Sequence, residues 1–324
     1  GSATTAINCR LDSGDLAPIR ALGLATGSSE VGGTQNSLYK YDTVDGVVQW
    51  LRWDEDVDVV RSPVAGNTSN RVYFTGDSTD EMKPRVTQNT VAIGAGTVFP
   101  SFSFLLGLPA PSAAPAASAV GDTPAESSSE IKETRSYVYT FVTANGEEGP
   151  PSSPSPVFDI YPTSQTATVS LMQTAEDAAY NVTHKYIYRT VTAAAGTQYQ
   201  FVAKVLLSES SYSDALSSLQ VGGVLPSTGW SAPPAGMIGL TSLSNGILAG
   251  FKDNEVMFCE PFMPHAWPTK YRMSTDFPIV GIKAVGSSLI VTTKAFPYVA
   301  QGAHPSNMTI ARMRENQSCV SKRS

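Results

Sequence analysis

Three carboxylates in the last third of the chain, Glu255, Glu260 and Asp276, have the chemistry needed for acid and base catalysis. Two carboxyl groups can hydrolyse a glycosidic bond, one as the acid and the other as the nucleophile or base, and some propeller-fold hydrolases work in this way. All three lie at the ends of predicted strands, where ordinary surface charges also lie. We therefore predict no catalytic residues and no enzyme activity.

The histidines, His184, His265 and His304, are far apart in sequence, and none has a second histidine at metal-ligand spacing. We predict no metal site. His265 lies in the segment Pro264–Pro268, Pro-His-Ala-Trp-Pro, which could be a binding loop. Its proline and aromatic residues favour a packed, hydrogen-bonded loop at a crossing between structural repeats.

Four carboxylates fall within the five residues Asp54–Asp58. Calcium prefers oxygen ligands at this density, but the segment lacks the glycine that a calcium loop carries at its sixth position. We predict a solvated turn between two strands. The sequence also lacks a Gly-x-Ser-x-Gly motif and a Gly-rich phosphate loop, so no cofactor is predicted.

The net charge of the 324-residue chain is -6 and its isoelectric point is about 5.1, with lysine and arginine scattered along the sequence. This distribution lacks the basic stripe of a nucleic-acid-binding protein. The lack of a basic stripe would suit a conduit for DNA. Basic residues would neutralise phosphates, and each neutralised phosphate would add affinity and slow the passage of the duplex. We predict no specific DNA binding.

Cys9, Cys259 and Cys319 are an odd set without Cys-x-x-Cys spacing, which favours buried free thiols and assembly in a reducing bacterial cytoplasm. The largely apolar run Val98–Leu108 is too short for a membrane span and is broken by proline. We predict no membrane association. The first residues, Gly1–Thr5, lack the features of a signal peptide.

Short strands separated by Gly, Asn-Gly and Pro turns dominate the sequence, which predicts an all-β protein. The stretch Gly236–Met313 contains two blocks of roughly 40 residues, the length of one β-propeller blade. A hairpin is predicted at Ala6–Arg20, and a four-stranded blade is predicted from Ser37–Tyr41, Val47–Trp53, Val57–Arg61 and Arg71–Gly76. Strands are also predicted at Val91–Ile93 and Thr97–Phe99.

Composition divides the chain into four parts. We predict a first propeller-like region at 1–109, an Ala/Pro/Ser linker at 110–131, a β-sandwich at 132–226 and a second propeller-like region at 227–324. The strand at Tyr137–Val142, followed by Asn-Gly and a Pro/Ser exit, resembles part of a fibronectin type III module, with the strand expected to open the module. The sandwich would be a detachable insertion within the propeller.

A wider resemblance rests on several weak motifs in order. The segments Asn245–Phe251, Phe258–Pro261, Pro264–Pro268 and Ile279–Ile282, with Leu289–Thr293, resemble virion structural proteins of tailed bacteriophages and prophages. The resemblance extends to Tyr137–Pro154, Trp50–Gly76 and Asn8–Arg20, and thus covers most of the chain. More distantly, the last block resembles the propeller of tail nozzle, or tail tubular, proteins of short-tailed phages.

The resemblance implies a structural component of a phage tail, as nozzle, tube or hub, that forms a homo-oligomeric ring around the DNA-ejection conduit. Tube, adaptor and fibre proteins would be partners, and the location would be the virion tail. Too few blades are present to close a propeller. We favour the interpretation that this sequence is a piece of a longer chain, although other chains could supply the missing blades. The alternative function is a carbohydrate-binding or glycosidase propeller module acting on host surface polysaccharide.

Overall fold

Antiparallel strands joined by short turns form most of the fold in the computed structural model, which describes residues 9–10, 17–18, 36–43, 45–46, 48–94, 100–125, 128–193 and 196–322. Strand β1 (Cys9–Arg10) pairs with β2 (Ala17–Pro18), as predicted for the first hairpin. The turn between them and the predicted strand Thr97–Phe99 lie outside the described residues. The all-β prediction is confirmed.

The first region contains a hairpin and a separate four-stranded sheet. Strand β3 (Ser37–Asp42) pairs only with β4 (Val48–Trp53) within the described residues. The first meander consists of β5 (Asp58–Arg61), β6 (Val72–Thr75), β7 (Arg85–Thr87) and β8 (Phe104–Leu105), hydrogen-bonded in chain order. A short helix, α1 (Asn89–Ala92), replaces the predicted strand Val91–Ile93.

The predicted blade with β3 to β6 as its four strands is therefore wrong. After β4 the chain turns and does not continue the ladder, so that the hairpin lies against the first meander. Trp53 contacts Phe74 with ring centroids 5.1 Å apart, and Tyr41 and Leu51 are buried in the same cluster. Burial of these large side chains favours packing of the hairpin against the sheet over its extension.

The middle region contains two facing sheets, here called the sandwich. One sheet has the order β12-β11-β15-β16, the other has the order β17-β14-β9, and β10 pairs with β13. Both main sheets contribute to one core cluster, which includes Tyr139, Phe141, Val169 and Ile187. The bounds are β9 (Ala116–Gly121), β10 (Glu133–Arg135), β11 (Tyr137–Thr143), β12 (Glu148–Pro151), β13 (Phe158–Ile160), β14 (Gln165–Ser170), β15 (Val182–Ala193), β16 (Gly196–Leu206) and β17 (Tyr212–Asp214).

The predicted linker is wrong for β9. This strand pairs with β14 over its full length, and Ala117 and Ala119 pack against the sandwich core. A strand needs only alternate side chains on its buried face, and small alanines are sufficient there. Because β9 precedes β11, the strand at Tyr137–Val142 does not open the sandwich.

The last region forms two further four-stranded sheets, each hydrogen-bonded in chain order. The second meander is β18 (Ile238–Ser242), β19 (Leu248–Lys252), β20 (Glu255–Phe258) and β21 (Arg272–Ser274). The third meander is β22 (Ile279–Val285), β23 (Ser288–Thr293), β24 (Tyr298–Gln301) and β25 (Thr309–Arg312). Turns of 3₁₀-helix lie at Asp80–Met82, Ala178–Tyr180, Thr269–Tyr271 and Pro305–Asn307.

The second meander is buried on both faces. Leu248 and Met257 point into a cluster shared with Tyr73 of the first meander. The alternate residues Phe251 and Phe258 point into a cluster shared with the third meander. Since successive side chains of a strand face opposite sides, one sheet joins both clusters. No helix among the described residues is long and apolar enough to cross a membrane.

Candidate functional site

The first strands of the three meanders lie side by side. Strand β18 contacts β5 on one side and β22 on the other. The backbone N–H of Gly239 donates to Asp58 Oδ2 at 3.1 Å. Gly239 has φ +73°, and a Cβ there would lie 2.4 Å from the Phe251 ring, so only glycine permits this approach. The three sheets thus converge along one edge.

The acidic segment Asp54–Asp58 follows β4, as predicted, and its last residue begins β5, but part of the segment is paired with a lysine. Lys322 Nζ lies 2.7 Å from Asp58 Oδ2 and 3.2 Å from Asp56 Oδ1. Lys322 also lies beside Gly281 of β22. The last described residues therefore link the third meander to the first across the converging edge. Within the described part of the chain, no group of three or more His, Cys, Asp or Glu residues could hold a metal ion.

A largely buried ion pair joins the sandwich to the first meander. Arg71 Nη1 lies 2.8 Å from Glu147 Oε1, and the two side chains are only 11% and 10% exposed. Burial raises the pKa of Glu147, while Arg71 opposes that rise. Two apolar residues after β8 cross the same junction, because Leu106 lies in the cluster between the meanders and Leu108 lies in the sandwich core. The sandwich is thus docked on the meanders and is not a detachable module.

The segment Pro264–Pro268 lies at this junction. Trp267 is buried between the first and second meanders, and its Nε1–H donates to the Pro264 carbonyl at 2.7 Å. The predicted packed, hydrogen-bonded loop is confirmed for Trp267. His265 differs, because both ring nitrogens are buried without a hydrogen-bond partner in the described structure. Trp230 meets its ring edge-on at 5.7 Å.

We expect His265 to make the protein less stable in acid. Burial lowers the pKa of His265 from 6.5 to about 4, and the nearby Arg71 adds to this effect. Between these values the unfolded chain binds the proton more readily than the folded chain, so the free energy of unfolding falls as pH decreases from 6.5 to 4. The measurement is urea denaturation across this range for wild type and His265→Phe.

The His265→Phe variant should show a flatter pH dependence than wild type. Other groups, including Glu147, titrate in both proteins, so the difference between the two curves isolates His265. Parallel curves over the whole range would contradict the expectation.

The three candidate carboxylates contact different partners, and Glu255 lies 3.8 Å from Arg272. Glu255 begins β20 and Glu260 follows its end, roughly 16 Å away at the rise of an extended strand. Glycosidase pairs lie only about 5 to 9.5 Å apart. Glu260 Oε1 lies 3.3 Å from His304 Nε2. Asp276 Oδ2 instead accepts from Tyr298 OH at 2.8 Å and lies 3.8 Å from Arg312.

The cysteines differ in burial. Cys259 is a buried free thiol between the first and second meanders, as predicted, whereas Cys319 is partly exposed. The side chain of Cys9 lies outside the described residues. Burial raises the pKa of Cys259 to about 12. The remaining histidine, His184, has its Nδ1 2.8 Å from Thr183 Oγ1 in the sandwich.

We expect iodoacetamide to alkylate Cys319 and to spare Cys259 in the folded protein at pH 8. The thiolate is the reactive form, and a thiol with a pKa of about 12 is almost entirely protonated at this pH. Peptide mass spectrometry of a Cys9→Ser variant gives the readout. Alkylation in urea, where both cysteines should react, is the control. Equal labelling without urea would contradict the expectation.

Two features of the structure had no signal in the sequence. The Arg71–Glu147 pair joins residues 76 positions apart. A polar cleft is formed by the β3–β4 hairpin and the segment that joins β5 to β6, with Tyr39, Asp42 and Arg61 in its wall. Neither set has a motif or spacing that marks it in advance.

Comparison with known proteins adds no assignment. No protein-family model matches the chain, and no curated protein matches it.

Proposed function

We propose that the chain is a structural subunit of a bacteriophage tail, in which the three meanders are β-propeller blades. One observation carries the proposal: the second meander is covered on both faces by its neighbours while the first strands of all three lie side by side. Four-stranded antiparallel sheets around a common axis are the repeating unit of propellers. The resemblance of Asn245–Phe251 and the later segments to virion proteins supplies the tail assignment.

The sandwich fits a fibronectin type III-like insertion in this proposal. Its sheets of four and three strands match the size of such modules, and it lies between the first and second meanders in sequence. Docked by Arg71 and Glu147, it would project from the propeller in a fixed direction and contact a fibre, another tail protein or the host surface.

The third meander offers a face on which assembly could continue. Leu289 and Val291 are fully buried on its inner face, so the alternating residue Ile290 and its cross-strand partner Val299 lie on the other face. A further blade, from a continuation of this chain or from another chain, would stack there. Copies of the subunit would then form a ring whose acidic character lets DNA pass without specific binding.

The test combines electron microscopy of the full-length gene product with proteomics of purified virions. We expect electron microscopy to show a ring with a central channel. We expect proteomics to find the protein in virions, and an antibody against it to label the tail by immunogold. The proposal would be overturned by a protein that is absent from virions, or by particles without a ring at any protein concentration.

A further inference from the structure

The polar cleft beside the β3–β4 hairpin is a second candidate site, distinct from the contacts between meanders. It has a volume of about 290 Å³, near the lower end of the range for small-molecule sites. Its lining includes Tyr39, Asp42, Arg61, Asn67 and Asn70. A cleft of this size holds a small ligand or one unit of a polymer.

Hydrogen bonds fix the two walls of the cleft against each other. Arg61 Nη2 donates to Asp42 Oδ2 at 2.9 Å, and Arg61 Nε donates to Tyr39 OH at 3.3 Å. Asn70 Nδ2 donates to the Asp42 carbonyl, and Tyr41 OH donates to the Asn70 carbonyl, both at 2.8 Å. These bonds hold the polar groups in place before a ligand arrives, which reduces the entropy lost on binding.

Backbone geometry supports the same conclusion for the loop wall. Asn70 has φ +47°, a left-handed conformation that asparagine adopts more readily than most residues, and its side chain donates to the hairpin. Asn67 Oδ1 accepts from the Ser69 backbone N–H at 3.1 Å and from its hydroxyl at 2.8 Å, which closes the turn. These bonds fix the shape of the loop wall.

The charged groups that line the cleft already have partners. Asp42 is paired with both Arg61 and Lys40, and Arg71, which also lines the cleft, is paired with Glu147. An anion such as phosphate would meet the Asp42 carboxylate beside two guanidinium groups that already have partners. A neutral ligand with adjacent hydroxyls fits better, since one hydroxyl can donate to Asp42 while the next accepts from Arg61. The partly buried Tyr39 ring offers an apolar surface for a sugar ring.

We propose that this cleft binds one pyranose unit of a neutral saccharide through Asp42, Arg61 and Tyr39. The site lies outside the three carboxylates Glu255, Glu260 and Asp276, and it requires no catalysis. It goes beyond the proposed tail function, because sugar binding by a single subunit does not depend on ring formation.

The test is NMR of the ¹⁵N-labelled protein with methyl α-pyranosides of glucose, galactose, mannose and rhamnose, and separately with sodium phosphate. We expect at least one pyranoside to give saturation transfer and to shift the Arg61 Nε–Hε resonance, with a dissociation constant on the order of 1 mM. Binding of phosphate but no pyranoside would overturn the proposal. So would the absence of binding to all four sugars.

Matched variants separate this site from general effects. Asp42→Ala and Asp159→Ala each remove a half-exposed carboxylate paired with a lysine, Asp42 in the cleft and Asp159 in the sandwich. Asp42→Ala and Arg61→Ala should weaken sugar binding at least about tenfold, and Asp159→Ala should leave it unchanged. Equal binding by all variants would place the sugar elsewhere and overturn the proposal. Ring formation, measured on the same samples, reports the tail function independently.

Discussion

Replacing Asp214 with alanine is expected to lower the free energy of unfolding by about 3–5 kcal/mol, because it leaves a buried guanidinium group without its counter-ion. Asp214 and Arg189 are fully buried in the sandwich, with Arg189 Nη1 2.5 Å from Asp214 Oδ2. The same oxygen accepts from Tyr137 OH at 2.7 Å, while Oδ1 accepts from the Leu216 backbone N–H at 2.9 Å. One substitution thus removes the acceptor for three donors.

Urea denaturation followed by circular dichroism measures this loss, and hydrogen exchange of β11 and β15 locates it in the sandwich. The exposed Asp159→Ala variant should change stability by no more than about 0.5 kcal/mol. The double variant Arg189→Met, Asp214→Leu should regain only part of the loss, since it removes both charges but leaves Tyr137 OH and the Leu216 N–H without their acceptor. An Asp214→Ala protein as stable as Asp159→Ala would show that the pair is solvated.

Local sequence patterns indicate most strands of the second and third meanders, but they give no signal for β21. Gly246 and Gly286 provide positive φ angles in the tight turns, and Leu289 and Val291 alternate with Ile290 between the two faces of β23. These features lie within a few residues of each other. They predict strands and hairpins without any knowledge of the tertiary structure.

Features that depend on distant residues were not predictable in this way. The hairpin β3–β4 has the composition of blade strands, and only the burial of Trp53 against Phe74 decides that it packs against the next sheet. Strand β9 resembles a linker until it pairs with β14, 44 or more residues later. The cleft at Asp42 and Arg61 depends on the packing of the hairpin, since the hairpin forms one of its walls.

Replacing Trp267 with alanine is expected to lower the free energy of unfolding by about 3–5 kcal/mol through the cavity it leaves between the first and second meanders. Trp267 is 1% exposed and shares a cluster with Tyr73 and Met257 from the two sheets. Its backbone also holds the chain where it returns from the sandwich, donating from N–H to the Ser231 carbonyl at 2.8 Å and accepting from Ser231 Oγ at 2.6 Å. Urea denaturation followed by hydrogen exchange of β6 and β20 measures the effect.

The same variant tests whether contacts between meanders maintain the assembly. Trp230→Ala is the matched control, because Trp230 is only half-buried and lies at the edge of the same junction. It should lose clearly less stability than Trp267→Ala and retain any ring that the wild-type protein forms. If the meanders are blades of one propeller, loosening one contact shifts the relative positions of all three first strands. Trp267→Ala should then lose the ring at urea concentrations where the sandwich is still folded. Loss of the ring and of the folded sandwich at the same urea concentration would mean that the sandwich and the meanders unfold as one cooperative unit.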